Sequence, residues 1–137
     1  METAFKLIKI EDLSSGVCET MYAEELGKGE FKIAETSAFN CNVNYGTIVK
    51  ANENDNAELV FEKVLKVSDY TCRRFLFSSK LSRTEMDKLG APILAEGGYW
   101  EVLFGAVLCV HLLSNSKFDL LVFFNGLQYY PTEITAV

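Results

Sequence analysis

Trp100 to Gly126 reads W-E-V-L-F-G-A-V-L-C-V-H-L-L-S-N-S-K-F-D-L-L-V-F-F-N-G, and the fold turns on how this stretch is divided. From Val102 to Leu113 it is apolar except at Gly105 and His111; a polar clip, Ser114 to Lys117, follows, and a second apolar block closes on Asn125-Gly126. The first block falls short of the roughly 20 apolar residues that span a bilayer. It is also too continuous to have one wet face, so we read Tyr99 to Leu113 as a long central strand buried on both faces, with Gly105 as a bulge. Ser116-Lys117-Phe118-Asp119 has the S-x-x-D form of a capping box. It starts a helix over residues 117–125 that stops at Gly126.

Upstream, Cys72 to Phe77 reads as a strand, and Ser82-Arg83-Thr84-Glu85 is a second capping box. Its helix is expected to end at Leu89, with Gly90 as the stop and Pro92 just beyond. Ile93 to Glu96 then begins a strand, Gly97-Gly98 makes a turn, and downstream Gln128 to Ile134 forms a last strand. Pro131 places that strand at an edge, where it is open to pairing with a second copy. The order β-α-β-β-α-β is that of a ferredoxin-like split unit.

Before residue 70 the pattern is different. Residues 4–10 alternate, residues 17–26 and 30–35 flank the hairpin signal Gly27-Lys28-Gly29, and residues 47–51 and 59–67 follow as strands. Five strands with short turns make a curved antiparallel sheet or small partial barrel. The fold expected is therefore α+β, with a curved β subdomain over 1–70 and a split β-α-β unit over 71–137 sharing one core.

Composition narrows the function classes. The 137 residues are 49% hydrophobic and 23% charged, as in an ordinary globular protein. The N-terminus has no secretory signal pattern, and the four cysteines have no C-x-x-C spacing, which reads as free thiols in a reducing cytoplasm. The net charge of −6 is uneven: residues 1–62 hold 12 acids against 5 bases, and residues 63–88 hold 3 against 7. An acidic chain is steered from nucleic acid towards basic partners. In the basic segment Phe75 and Phe77 read as core, since no RNP1-type run surrounds them.

No catalytic constellation, metal set or cofactor motif emerges. Cys109 and His111, two apart on a strand, share a face, yet the run around them is one that buries a thiol and makes it inert. One histidine leaves no zinc pattern, and Gly27-Lys28-Gly29 lacks the spacing of a phosphate loop. The acids are better placed for a surface role: Glu24, Glu25 and Glu30 flank one hairpin, and Glu53, Asp55 and Glu58 sit on another loop, where like charges focus a negative field.

Residues 21–51, M-Y-A-E-E-L-G-K-G-E-F-K-I-A-E-T-S-A-F-N-C-N-V-N-Y-G-T-I-V-K-A, resemble the N-terminal half of a family of small bacterial domains of unknown function. The likeness lies in Glu24 to Gly29, Phe39 and Val43 to Val49. Thr47 stands where that family usually has aspartate, and Ser37-Ala38-Phe39 replaces a more typical Asn-x-Pro-Phe-Phe stretch. The resemblance implies a bacterial cytosolic protein and supplies no catalytic residues. Two readings result. One is a non-enzymatic protein-binding module, an immunity-type protein that neutralises a basic toxin such as a nuclease through the six acids. The other is a small-molecule-binding or regulatory domain lined by Tyr99, Trp100, Tyr129 and Tyr130.

Overall fold

The computed structural model describes residues 4–12, 17–38, 43–77, 83–126 and 131–134. The chain divides into two compact units, Met1–Asp69 and Tyr70–Val137.

The first unit is a closed five-stranded barrel built from β1 (Phe5–Asp12), β2 (Val17–Gly27), β3 (Glu30–Ile33), β4 (Ile48–Glu53) and β5 (Leu59–Lys66), in that order around the wall. Each strand runs antiparallel to the one before, so the fifth points the same way as the first. Closure is therefore necessarily parallel, through Ile8↔Leu59 and Lys9↔Val60. The expected partial barrel is in fact complete. Register shifts at Glu25/Gly27, Ile48/Val49 and Lys50/Ala51 supply curvature. Alternation places Ile8, Ile10, Met21, Ala23, Phe31, Ile33, Val49 and Ala51 inside, where Val43 joins them.

The connection between β3 and β4 is held by buried polar groups. The Ser37 hydroxyl and the Ala38 N–H donate to the two carboxylate oxygens of Glu19, each at 2.7 Å. Asn44 Oδ1 accepts from the N–H groups of Ser37 (2.8 Å) and Tyr45 (2.9 Å). Thr47 Oγ1 accepts from Asn44 N–H at 3.0 Å, an acceptor role that an aspartate at this position could equally fill. Phe39 and Cys41 lie outside the described residues.

The second unit contains β6 (Tyr70–Leu76), α1 (Arg83–Ala95), β7 (Tyr99–Leu103), β8 (Val107–Leu113), α2 (Leu120–Asn125) and β9 (Thr132–Ile134). The sheet order is β7-β8-β6-β9 and every pair is antiparallel. Leu89 and Ile93 of α1 and Leu120 and Phe124 of α2 join Phe75, Leu108 and Val110 in one cluster, so both helices cover the same sheet face.

Four expectations within this unit need correction. The central run is two strands, not one. Phe104 and Gly105 both take positive φ (53° and 70°), and Ala106 N–H returns to Leu103 O, so Gly105 is a hairpin turn rather than a bulge. Residues 93–95 are helical, because α1 continues past Gly90 and takes Pro92 inside it. Gly90 is no stop: a Cβ there would lie 2.1 Å from Trp100 Nε1, so glycine lets the helix sit against the indole. The stop is Gly97, at φ 78°, with Gly97 N–H bonded to Leu94 O and Gly98 N–H to Ile93 O, a Schellman closure. Finally, α2 starts at Leu120 with Asp119 as N-cap, whose side chain accepts from Val122 N–H at 3.1 Å; Ser116 instead accepts from Phe118 N–H. Ser82 and residues 127–130 lie outside the described residues, and the last strand is described over Thr132–Ile134. Among the described residues no helix is long and apolar enough to cross a membrane.

Candidate functional site

Antiparallel order decides where the six acids go. The β2–β3 tip, Gly27-Lys28-Gly29, is tied to β4 by Ala51 N–H donating to Gly29 O at 3.0 Å. Because β3 and β4 pair as Glu30↔Lys50, β4 runs on past that tip through Asn52 and Glu53. Both hairpin tips therefore stand at one end of the barrel. The β4–β5 tip is organised by Asn54, whose Oδ1 accepts from the N–H groups of Asn56 (3.0 Å) and Glu58 (2.9 Å). Asn54 N–H closes the loop on Glu58 O at 2.8 Å. This holds Glu53, Asp55 and Glu58 exposed on an ordered loop. Glu25 and Glu30 flank the shorter tip and are also exposed. Between them the two tips carry five acids and one base, Lys28. Glu24 lies apart on the wall, half-buried, in register with Lys32.

A second polar group occupies the helix-free face of the other unit. Register sets Tyr99, His111 and Cys72 in one row and Glu101, Cys109 and Arg74 in the next. The Cys72 sulfur is 3.9 Å from His111 Nε2, Arg74 Nη1 donates to the Cys109 sulfur at 3.7 Å, and the Tyr99 hydroxyl donates to Glu101 at 3.2 Å. Burial pushes the Cys109 thiol up to about 11 despite Arg74. Burial, with help from Arg74, pulls His111 down to about 4. Both are neutral near pH 7, so this pair presents neither a thiolate nor a charged imidazole. The sulfur against His111 Nε2 belongs to Cys72, a neighbour created by strand register that sequence spacing does not reveal. Among the described residues no three His, Cys, Asp or Glu side chains gather as a metal site.

Of the four aromatic residues, the two described ones, Tyr99 and Trp100, are neighbours on β7 and face opposite sides of the sheet. Tyr99 faces the polar rows, whereas Trp100 faces the helices and lines a narrow, wholly apolar cleft with Phe77, Met86, Leu89, Val102 and Leu108. Tyr129 and Tyr130 lie outside the described residues. Phe75 is fully buried, and Arg73 above it is engaged by Glu133.

The family model described as "Domain of unknown function (DUF4265)" matches residues 19–122. A crystal structure of a hypothetical protein from Neisseria gonorrhoeae is similar over 91% of this chain and 86% of its own, with a TM-score of 0.60 and 21% identity, which shows a shared fold. Comparison with curated proteins finds no match.

Proposed function

The chain belongs to the DUF4265 family of unknown function, and on that premise we propose that it is a non-enzymatic bacterial protein-binding module of the immunity type, which neutralises a basic toxin such as a nuclease at the acidic end of its barrel. The observation that carries this reading is the convergence of two hairpin tips bearing Glu25, Glu30, Glu53, Asp55 and Glu58 at one end of a closed wall. Such an array steers a basic surface and fixes its orientation. The neutral state of Cys109 and His111 supports a role other than nucleophilic catalysis. Cys18, Cys72 and Cys109 form no disulfide among the described residues, which fits a reducing cytoplasm. We read the second unit as ferredoxin-like, supported by its β7-β8-β6-β9 antiparallel order and its helices on one face.

The test is capture of partners on the tagged chain in native cell extract at about 0.1 M and about 0.5 M salt, a range over which the Debye length falls roughly twofold. A single basic partner, held at low salt and lost at high salt, is expected. It should also be lost from the combined variant Glu53→Gln, Asp55→Asn, Glu58→Gln. No partner at either salt, or one indifferent to these three changes, overturns the reading.

A further inference from the structure

β9 is the shortest strand of its sheet. It is three residues long, lies at the edge, and among the described residues pairs with β6 alone, through Arg74↔Ile134, Phe75↔Glu133 and Leu76↔Thr132. None of its own side chains is buried. By contrast, Leu108 to His111 of β8 are all buried. Beside the backbone ladder, a bidentate ion pair ties β9 to β6: Arg73 Nε and Nη2 donate to the two oxygens of the Glu133 carboxylate, each at 2.7 Å. The guanidinium itself lies 5.4 Å above the Phe75 ring. Planar pairing of this kind fixes geometry as well as adding energy. Among the described residues, a three-residue edge strand with no buried side chain and one side-chain ion pair as its lock belongs to the low-stability end of a fold, where local opening precedes global unfolding.

We propose that β9 is an exchangeable strand, which opens from β6 and is replaced there by β9 of a second copy of this chain. The occupant follows from complementarity. The edge that β9 leaves has a defined register, a row of backbone groups and, on Arg73, a guanidinium set for the carboxylate opposite Phe75, two positions along. Thr132-Glu133-Ile134 is the sequence that fits it, and a second copy carries the same three residues. Reciprocal exchange conserves every β6–β9 contact, so protein concentration rather than new contact energy sets the balance between closed and exchanged forms.

Charge reversal tests this. R73E and E133R each place like charges at the lock and are expected to stay monomeric, with β9 displaced. An equimolar mixture restores opposite charges only by exchange, since the R73E body accepts the E133R strand and the reverse. The mixture is therefore expected to reach the mass of a dimer by light scattering at high concentration. The double variant R73E/E133R, which repairs the lock within one chain, is expected to remain monomeric at the concentration where the mixture dimerises. A mixture that elutes as two monomers overturns the proposal. Should either single variant fail to fold, hydrogen exchange on the native chain decides: β9 amides are expected to exchange roughly 100-fold faster than the most protected β8 amides and without dependence on denaturant. Exchange of β9 only at the global unfolding rate overturns the proposal equally.

Discussion

His111 is 1% exposed on β8, with the Cys72 sulfur against Nε2 and the Tyr99 ring 5.8 Å away. Loss of water around the ring, reinforced by Arg74, lowers its pKa from 6.5 to about 4. The folded value lies below the unfolded one, so the fold favours the neutral ring. That contribution is complete above pH 6.5 and is lost as pH falls towards 4, by roughly 3 kcal/mol in all if the unfolded chain titrates normally. Urea midpoints at pH 7.5 and pH 5 should therefore differ by more in the native chain than in His111→Gln. Equal shifts would mean that other groups carry the acid sensitivity. Gly90 is the other residue whose identity is dictated by what it touches. Gly90→Ala forces a methyl group into the Trp100 indole and should cost about 1–3 kcal/mol, seen as a lower unfolding midpoint with altered tryptophan emission. A helix-propensity argument alone predicts a gain, so the sign of the change separates the two explanations.

At the scale of elements, the competing caps of α2 give a direct comparison. Asp119→Ala removes the side chain that accepts from Val122 N–H and should destabilise by about 1 kcal/mol. Ser116→Ala touches only the preceding turn and should cost less; the reverse ranking in thermal unfolding would restore Ser116 as the cap. The sequence offered two S-x-x-D/E signals with the same form, and only three-dimensional placement assigns the capping oxygen. The same logic explains which elements were legible. The five barrel strands could be read because polar turns such as Gly27-Lys28-Gly29 and the run Asn52 to Asn56 separate them. The β7–β8 hairpin could not, since its turn is Leu103-Phe104-Gly105-Ala106, apolar throughout, with a phenylalanine at φ 53°. Gly90 and Pro92 looked like the end of α1 because glycine and proline weaken an isolated helix; packing on Trp100 and the later Gly97 closure override them. The polar rows of the second unit were half visible, as Cys109 and His111 share a strand, but Cys72, Arg74, Tyr99 and Glu101 come from other strands and meet them only through register.

For the molecule as a whole, charge and topology act together. The acids of residues 1–62 are dispersed in sequence, yet the antiparallel strand order gathers five of them on two tips at one end of the barrel while leaving Glu24 on the wall. Singly, such exposed charges contribute little to stability. Their value lies in the summed field, which acts over a Debye length of about 8 Å at physiological ionic strength. Neutralising Glu53, Asp55 and Glu58 to their amides should therefore leave the unfolding midpoint within about 0.5 kcal/mol of native, while slowing association with a captured basic partner by roughly tenfold or more at low salt. Glu62→Gln is the matched control, because Glu62 is occupied on the barrel wall by Lys50 at 3.7 Å and lies off the tips. Stopped-flow association rates at two ionic strengths would read the effect directly. Steering requires the native rate to fall steeply with salt, the triple variant to be slow and nearly salt-independent, and the control to follow the native chain. If all three proteins showed the same slope, the acidic end would be a solvated surface, and recognition would have to be sought on another face.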